Sequence, residues 1–407
     1  MKDLFFKNNQ KAMLFFLWLS VVGLFLTENF RALLSIAMIG FTLVGLLSAK
    51  PKFWFHNIKN NKPLLFLIGS FLVVLPSVIY SKNLSYFGLR AQILIPFLVM
   101  PFAYAQVKTF SDKFRIIISL SFIFGVFITS IQALIYYYFN QAEVNQAYLE
   151  SRVMPAIVSH HPTFSLMCAF AIYLLYDFLK TLNKKIFQIL ILLVAVFLII
   201  FLHIFSVRIG IIAFYGLVLL VLYEQIIIKK QYFIGLLILF TSLLIAFFTY
   251  NYSPTIKNKI ANTQNDIDNY KSGGSANNQS LGSRLISYKN AIEITENSSW
   301  LIGCGLGDVE DLNNEIYKTK YPDITKKIIP HNQFLYYLAS IGMIGVLIFA
   351  FCFYFPVFKQ LNNFKLLAFY LVISLAFLVE AFLTTQLGVG FTIIFILLFT
   401  NKGLKTY

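Results

Sequence analysis

The stretch KIFQILILLVAVFLIIFLHIFSVRIGIIAFYGLVLLVLYEQIIIKK, residues 185–230, decides the fold. Lysines stand at both its ends, and two apolar runs, 185–205 and 209–228, flank Ser206-Val207-Arg208 at its centre. Each run is long enough to cross a hydrocarbon core of roughly 30 Å as a helix. Only a helix satisfies every backbone polar group within such a segment. Barrel strands would be shorter, alternating and punctuated by turns. Lysine at the outer ends therefore reads as two spans that leave the cytoplasm and return to it. Because the two runs nearly merge, the number of spans stays open from eleven to thirteen.

Ten more apolar runs lie outward from this pair, near 12–27, 31–48, 64–80, 90–106, 115–138, 162–180, 232–250, 333–356, 364–383 and 386–400. The chain is 58% hydrophobic and 12% charged, with a mean hydropathy of +0.74. A soluble chain sits near 25% charged, so this composition excludes one. The expected fold is all-α: a polytopic transmembrane helical bundle of about twelve helices with one large periplasmic loop containing short helices. Residues 1–250 would hold nine spans, 251–332 the loop with its catalytic elements, and 333–407 the last three spans. The N-terminal lysines and apolar run have no small-residue cleavage site and read as a retained helix.

Sidedness follows from the basic residues. Alternate segments hold Lys2, Lys7, Lys11; Lys50, Lys52, Lys59, Lys62; Lys108, Lys113, Arg115; Lys180, Lys184, Lys185; Lys229, Lys230; Lys359, Lys365; and Lys402, Lys405. The intervening short loops hold only Arg31, Lys82, Arg90, Arg152 and Arg208. The first set is expected in the cytoplasm with both termini, and the segment 251–332 outside. That segment carries nine basic and nine acidic residues. Most of the formal +16 is thus a topological signal beside anionic membrane lipid, and no nucleic-acid partner is expected. Three scattered cysteines, Cys168, Cys304 and Cys352, suit neither a disulfide framework nor a zinc site.

Five of the six arginines (Arg31, Arg90, Arg152, Arg208 and Arg284) fall on the external side, whereas the inner face uses lysine almost throughout. Anchoring to anionic lipid needs only point charge. Arginine is favoured where a planar fork grips carboxylate or phosphate. Arg208, at the external start of an apolar run, is costly unless it faces a cavity or partner; the bland reading is a snorkelling side chain.

Within the external segment, 251–280 is polar, contains Lys271-Ser272-Gly273-Gly274-Ser275, and reads as mobile. From Ser283, a candidate cap, Leu285, Ile286, Ala291, Ile292 and Ile294 have roughly helical spacing, with Arg284 in the first turn. The glycines of Trp300-Leu-Ile-Gly303-Cys-Gly305-Leu-Gly307-Asp308 lack the strand-and-helix context of a nucleotide loop and read as a tight turn re-entering the protein. Pro330-His331-Asn332 then precedes an apolar run. Proline there suggests a first helical turn, where free N–H groups suit an anion and a histidine stays neutral enough to accept a proton. The bland alternative is an interfacial capping histidine. His160 and His161 are adjacent, without accompanying carboxylates, so no metal is expected. Glu380, in an apolar run, would pair with an arginine or mark an ion path.

In order, these motifs are Ser206 and Arg208 opening a late helix, the large outer loop with Arg284, Trp300 and Gly303-x-Gly305, and His331-Asn332 before Ile341-Gly342-Met343-Ile344-Gly345. Over roughly 150–350 the chain resembles the O-antigen ligase and O-antigen polymerase superfamily of bacterial inner-membrane glycosyltransferases. The resemblance implies transfer of a glycan from undecaprenyl diphosphate to an acceptor hydroxyl on the periplasmic face, with no cofactor, nucleotide sugar or metal. It implies that Arg208 and Arg284 hold the diphosphate and that His331 acts at the transfer site. The family often has Ser-Arg-Gly where this chain has Ser206-Val207-Arg208-Ile209-Gly210. Arg90, Arg152, His161 and Asn332 are further candidates for substrate contact.

The physics of such a donor agrees. An apolar tail needs a lipid-accessible groove, two phosphates need guanidinium forks, and a glycan needs a polar vestibule. Arginines would stabilise the leaving diphosphate. His331 would withdraw the acceptor's proton as the anomeric carbon is attacked, which inverts that carbon. The expected activity is an O-antigen ligase with lipid A core as acceptor. A polymerase extending a growing glycan and a protein O-oligosaccharyltransferase share the chemistry. A flippase or transporter for the lipid-linked glycan is the rival class; it calls for paired broken-helix repeats, which this sequence does not display.

Overall fold

The computed structural model describes residues 2–150, 152–156, 158, 160–272, 277 and 279–401, with the side chains of 2–8 and 270 excepted. Gly273, Gly274, Ser275, Ser159, Lys402 and Lys405 lie outside the described residues. Every regular element described is helical. Among the described residues, eight helices are long and apolar enough to cross a membrane, including Lys185–Phe205, Arg208–Ile228 and Gln333–Phe358. A ninth candidate is the pair Arg31–Leu47 and Pro51–Lys59, bent by 104° where Pro51 starts a new helix. Asn9–Phe25, Phe364–Val379 and Gln386–Phe399 are apolar but shorter. At 14 residues the last is about 21 Å long, less than the hydrocarbon thickness. This is a membrane protein, and the three short helices separate its eight or nine long spans from the expected count of about twelve.

The chain forms two compact units: residues 1–121, 284–370 and 377–407, and residues 122–283 with 371–376. In the first, Gln386–Phe399 is a central helix, buried at every position from Leu387 to Phe399. Phe349, Phe353, Tyr370 and Phe377 pack as an aromatic cluster nearby. In the second unit His161–Leu179 is central, with 83% of its apolar window buried. Gly210 lets helix Arg208–Leu222 approach it closely, since a Cβ there would come within 2.5 Å of Ser165. A π-helical turn, Tyr223–Ile228, holds buried Glu224 against Lys180 and Lys229 at 3.1 and 2.8 Å.

One expectation is corrected. Much of 251–280, read as mobile, is the helix Pro254–Lys271. Its buried stripe is Thr255, Lys259, Asn262 and Asp266, which is helical spacing written in polar residues. Instead of burying apolar surface, the stripe and its neighbour Asn258 bind backbone. Asn258 and Asn262 donate to the carbonyls of Asn145 and Leu149, both at 2.9 Å, and Thr255 donates to Ile204 at 2.7 Å.

Candidate active site

The glycine turn places the first half of the site. Helix Gln333–Phe358 breaks at Gly342, where φ is +67°. The break releases backbone groups, and the turn takes them up. Cys304 and Gly305 N–H donate to the carbonyls of Ala339 and Ser340 at 2.8 and 2.9 Å, and Met343 N–H donates to Trp300 at 2.8 Å. Gly303 and Gly305 sit at φ +73° and +104°, conformations that favour glycine. Asp308 then accepts from the N–H groups of Lys82 and Asn83 at 2.8–3.0 Å. The turn's amides are committed to protein partners, so the motif is a joint and not a phosphate cradle. Burial, then Asp308, pushes the Cys304 thiol up to about 12, which leaves it protonated at neutral pH.

Asn332 caps the helix that follows, its side chain accepting from Phe334 and Leu335 N–H at 2.9 and 3.0 Å. This corrects the placing of His331 in the first turn: the cap is Asn332, and His331 lies one residue outside the helix. The His331 N–H donates to Ser287 Oγ at 3.2 Å, and Nδ1 lies 3.0 Å from the Ile329 carbonyl. A carbonyl only accepts, so Nδ1 carries a hydrogen and the neutral ring's lone pair is on Nε2. That Nε2 is 3.7 Å from one oxygen of Glu380, and the other oxygen accepts from Arg284 Nη2 at 2.9 Å. Glu380 is therefore shared by the two side chains that the sequence singled out. Its side chain is 10% exposed, against 23% for Arg284 and 25% for His331. The carboxylate stands behind, and the guanidinium and imidazole reach the surface.

Neighbouring elements fix this cluster. Arg284 lies on helix Ser280–Asn297, anchored through Ile286, Ser287, Asn290, Ala291 and Ile294. Asn290 donates to Asn313, which donates to the Ile328 carbonyl, at 3.1 and 3.0 Å. Glu380 directly follows helix Phe364–Val379. Tyr288 Oη and Asn332 Nδ2 both donate to the Leu378 carbonyl, at 3.3 and 3.0 Å, and so hold that helix end in place. Burial raises the Tyr288 phenol, which stays a hydrogen donor.

Arg90, in the same unit, lies over the Tyr86 ring at 4.7 Å. It donates to Tyr86 Oη at 2.6 Å and to the Thr384 carbonyl at 3.0 Å, and meets Glu310 at 3.5 Å. In the other unit, Arg208 donates to Thr263 and lines a cavity of about 310 Å³ with Ser206, Lys259 and Gln264. Arg152 pairs with Glu150 at a second cavity. His161 opens helix His161–Leu179, its ring edge-on to Phe205 at 6.0 Å. His160 Nδ1 meets Thr163 Oγ1 at 2.7 Å.

Arg284 and His331 thus converge on one carboxylate, with Asn332 adjoining. Sequence reasoning flagged Glu380 but missed Ser287 and Tyr288, which stand on the Arg284 helix, and Glu310 and Tyr86, which hold Arg90. Their signal is slight: polar residues on the faces of helices that otherwise read as interfacial. A family profile described as O-antigen ligase matches residues 193–350, a range that contains Arg208, Arg284 and His331. No curated protein matches the chain.

Proposed function

We propose that the chain, whose residues 193–350 match a family profile described as O-antigen ligase, is a glycosyltransferase of the ligase and polymerase type that carries out one specific reaction. The protein moves a glycan from undecaprenyl diphosphate to a hydroxyl of lipid A core, at the periplasmic face of the inner membrane, without a metal and with inversion. The acceptor oxygen attacks the anomeric carbon. The bond from that carbon to phosphate oxygen breaks, and the diphosphate leaves with the electron pair. Nε2 of His331 takes the acceptor's proton. The imidazolium so formed gains the Glu380 carboxylate as counter-ion. Arg284 keeps further N–H donors for the developing charge on the diphosphate. Arg208, in the other unit, is a candidate phosphate ligand from the sequence resemblance alone.

The observation that carries this reading is the placement of Arg284 and His331 on opposite oxygens of Glu380. It puts a guanidinium and an imidazole in one cluster, which supports a phosphate-gripping fork beside a proton acceptor. The test is transfer of lipid-linked glycan to lipid A core by purified protein. Loss of a general base costs about 10²–10⁴-fold, so His331→Ala should lower kcat by that much. Arg208→Lys and Arg284→Lys keep the charge but lose the fork, and should each lose at least tenfold. Full activity in all three variants sinks the assignment. The same chemistry with a growing glycan as acceptor is polymerisation. Deleting the gene separates the two: unglycosylated core with accumulated lipid-linked polymer marks a ligase, and core capped by single repeats marks a polymerase.

A further inference from the structure

The second unit contains a cavity of about 510 Å³ that the reaction above leaves without a role. Among the described residues six polar side chains line it, Glu150, Arg152, Asn262, Asn265, Asp266 and Gln279, with Leu149 the one apolar residue. Small-molecule pockets span roughly 300–1,000 Å³ but are usually apolar; this one has the size without the character. Two of its residues are built into the protein. Asn262 and Asp266 are 4% and 2% exposed, held by the Leu149 carbonyl at 2.9 Å and the Leu281 N–H at 3.1 Å. The side-chain oxygen of Gln279 is shielded from solvent and meets no hydrogen-bond donor among the described residues.

The mixture of groups selects the ligand. Two carboxylates against one guanidinium leave a net negative lining, which repels phosphate and acidic sugars. Arg152 already neutralises Glu150, which disfavours a metal cation. Carboxylate and amide oxygens accept from hydroxyls, while amide and guanidinium N–H groups donate to hydroxyl and acetamido oxygens. Such a paired set of acceptors and donors fits a polyol. We propose that this cavity is a subsite for neutral, hydroxyl- and acetamido-bearing sugars of the glycan. The identity of the glycan as donor rests on the function proposed above; the sugar-binding cavity does not.

Gln279→Ala and Asn265→Ala test the subsite, because neither residue supports the fold as Asp266 does. The first measurement is binding to the full-length protein in detergent. The probe is the oligosaccharide released by mild acid from the native lipid-linked pool. The wild type should bind it, and each variant should bind at least fivefold more weakly. Absence of wild-type binding overturns the subsite whether or not transfer occurs. The second measurement is transfer kinetics with two donors, one carrying the full repeat and one a single sugar. The variants should raise KM at least fivefold for the full-repeat donor, with kcat within twofold, and leave the single-sugar donor unchanged. Equal impairment with both donors, or none with either, also overturns it. If the wild type binds the oligosaccharide but transfers nothing, the proposed reaction fails and the subsite stands.

Discussion

Glu380 shows what a single residue can and cannot disclose. An acid in an apolar run announces itself, because an unpaired charge there is costly. Its partners do not, since Arg284 lies 96 residues away in the chain. Arg284 and His331 were legible for separate reasons, one as an external guanidinium and one as a histidine before a helix. Their meeting was not, because pairing across such a distance leaves no periodicity. Removing one member of a buried ion pair typically costs about 3–5 kcal/mol; partial exposure of Arg284 reduces that here. Glu380→Gln keeps the shape, removes the counter-ion of the imidazolium and leaves Arg284 uncompensated. We expect a fall in kcat of about 10–100-fold, with protein still recovered from the membrane, as measured by glycan transfer. Activity equal to wild type would reduce the carboxylate to a structural tie.

At the scale of elements, the reading succeeded where burial is apolar and failed where it is polar. The spans announce themselves by length. Pro254–Lys271 escaped because its inward stripe is Thr255, Lys259, Asn262 and Asp266, and a hydrophobic pattern cannot register amides that bind carbonyls. The glycine turn was legible as a turn, but its partner was not: nothing in Ile341-Gly342-Met343 declares a broken helix. Gly342→Ala tests that joint. The new Cβ would lie 2.3 Å from the backbone of Leu301 and Ile302, at a positive φ that alone costs roughly 1–3 kcal/mol. A clear drop in melting temperature in detergent is expected, with transfer activity lost in parallel. Gly88→Ala is the control, for it lies in helix Leu84–Leu94 with nothing within 4 Å of its Cβ position. Alanine there should leave the melting temperature unchanged or slightly raised, since glycine inside a helix costs about 0.5–1 kcal/mol. Equal effects at the two sites would mean that the break is not what holds the turn.

For the whole molecule, the number of spans and their sidedness bear on each other. Phe364–Val379 has 16 residues, about 24 Å, short for a span. Yet its two ends carry opposite signals. Lys359 and Lys365 flank its start, and Glu380, bound to Arg284, follows its end. If lysines mark the cytoplasm and Arg284 lies outside, this helix has to cross despite its length, and the bilayer thins to meet it. Labelling with a membrane-impermeant maleimide decides the matter in intact cells whose outer membrane admits the reagent. In a background lacking Cys168, Cys304 and Cys352, Glu296→Cys and Asn362→Cys place thiols at exposed positions, the first on the helix whose Arg284 binds Glu380 at the end of Phe364–Val379, the second just before that helix starts. Glu296→Cys should label directly, and Asn362→Cys only after the inner membrane is permeabilised. The reverse pattern would invert the topology and move the Arg284–Glu380–His331 cluster to the cytoplasm. Labelling of both without permeabilisation would show that Phe364–Val379 does not separate two compartments, and the argument from lysine would fail for this part of the chain.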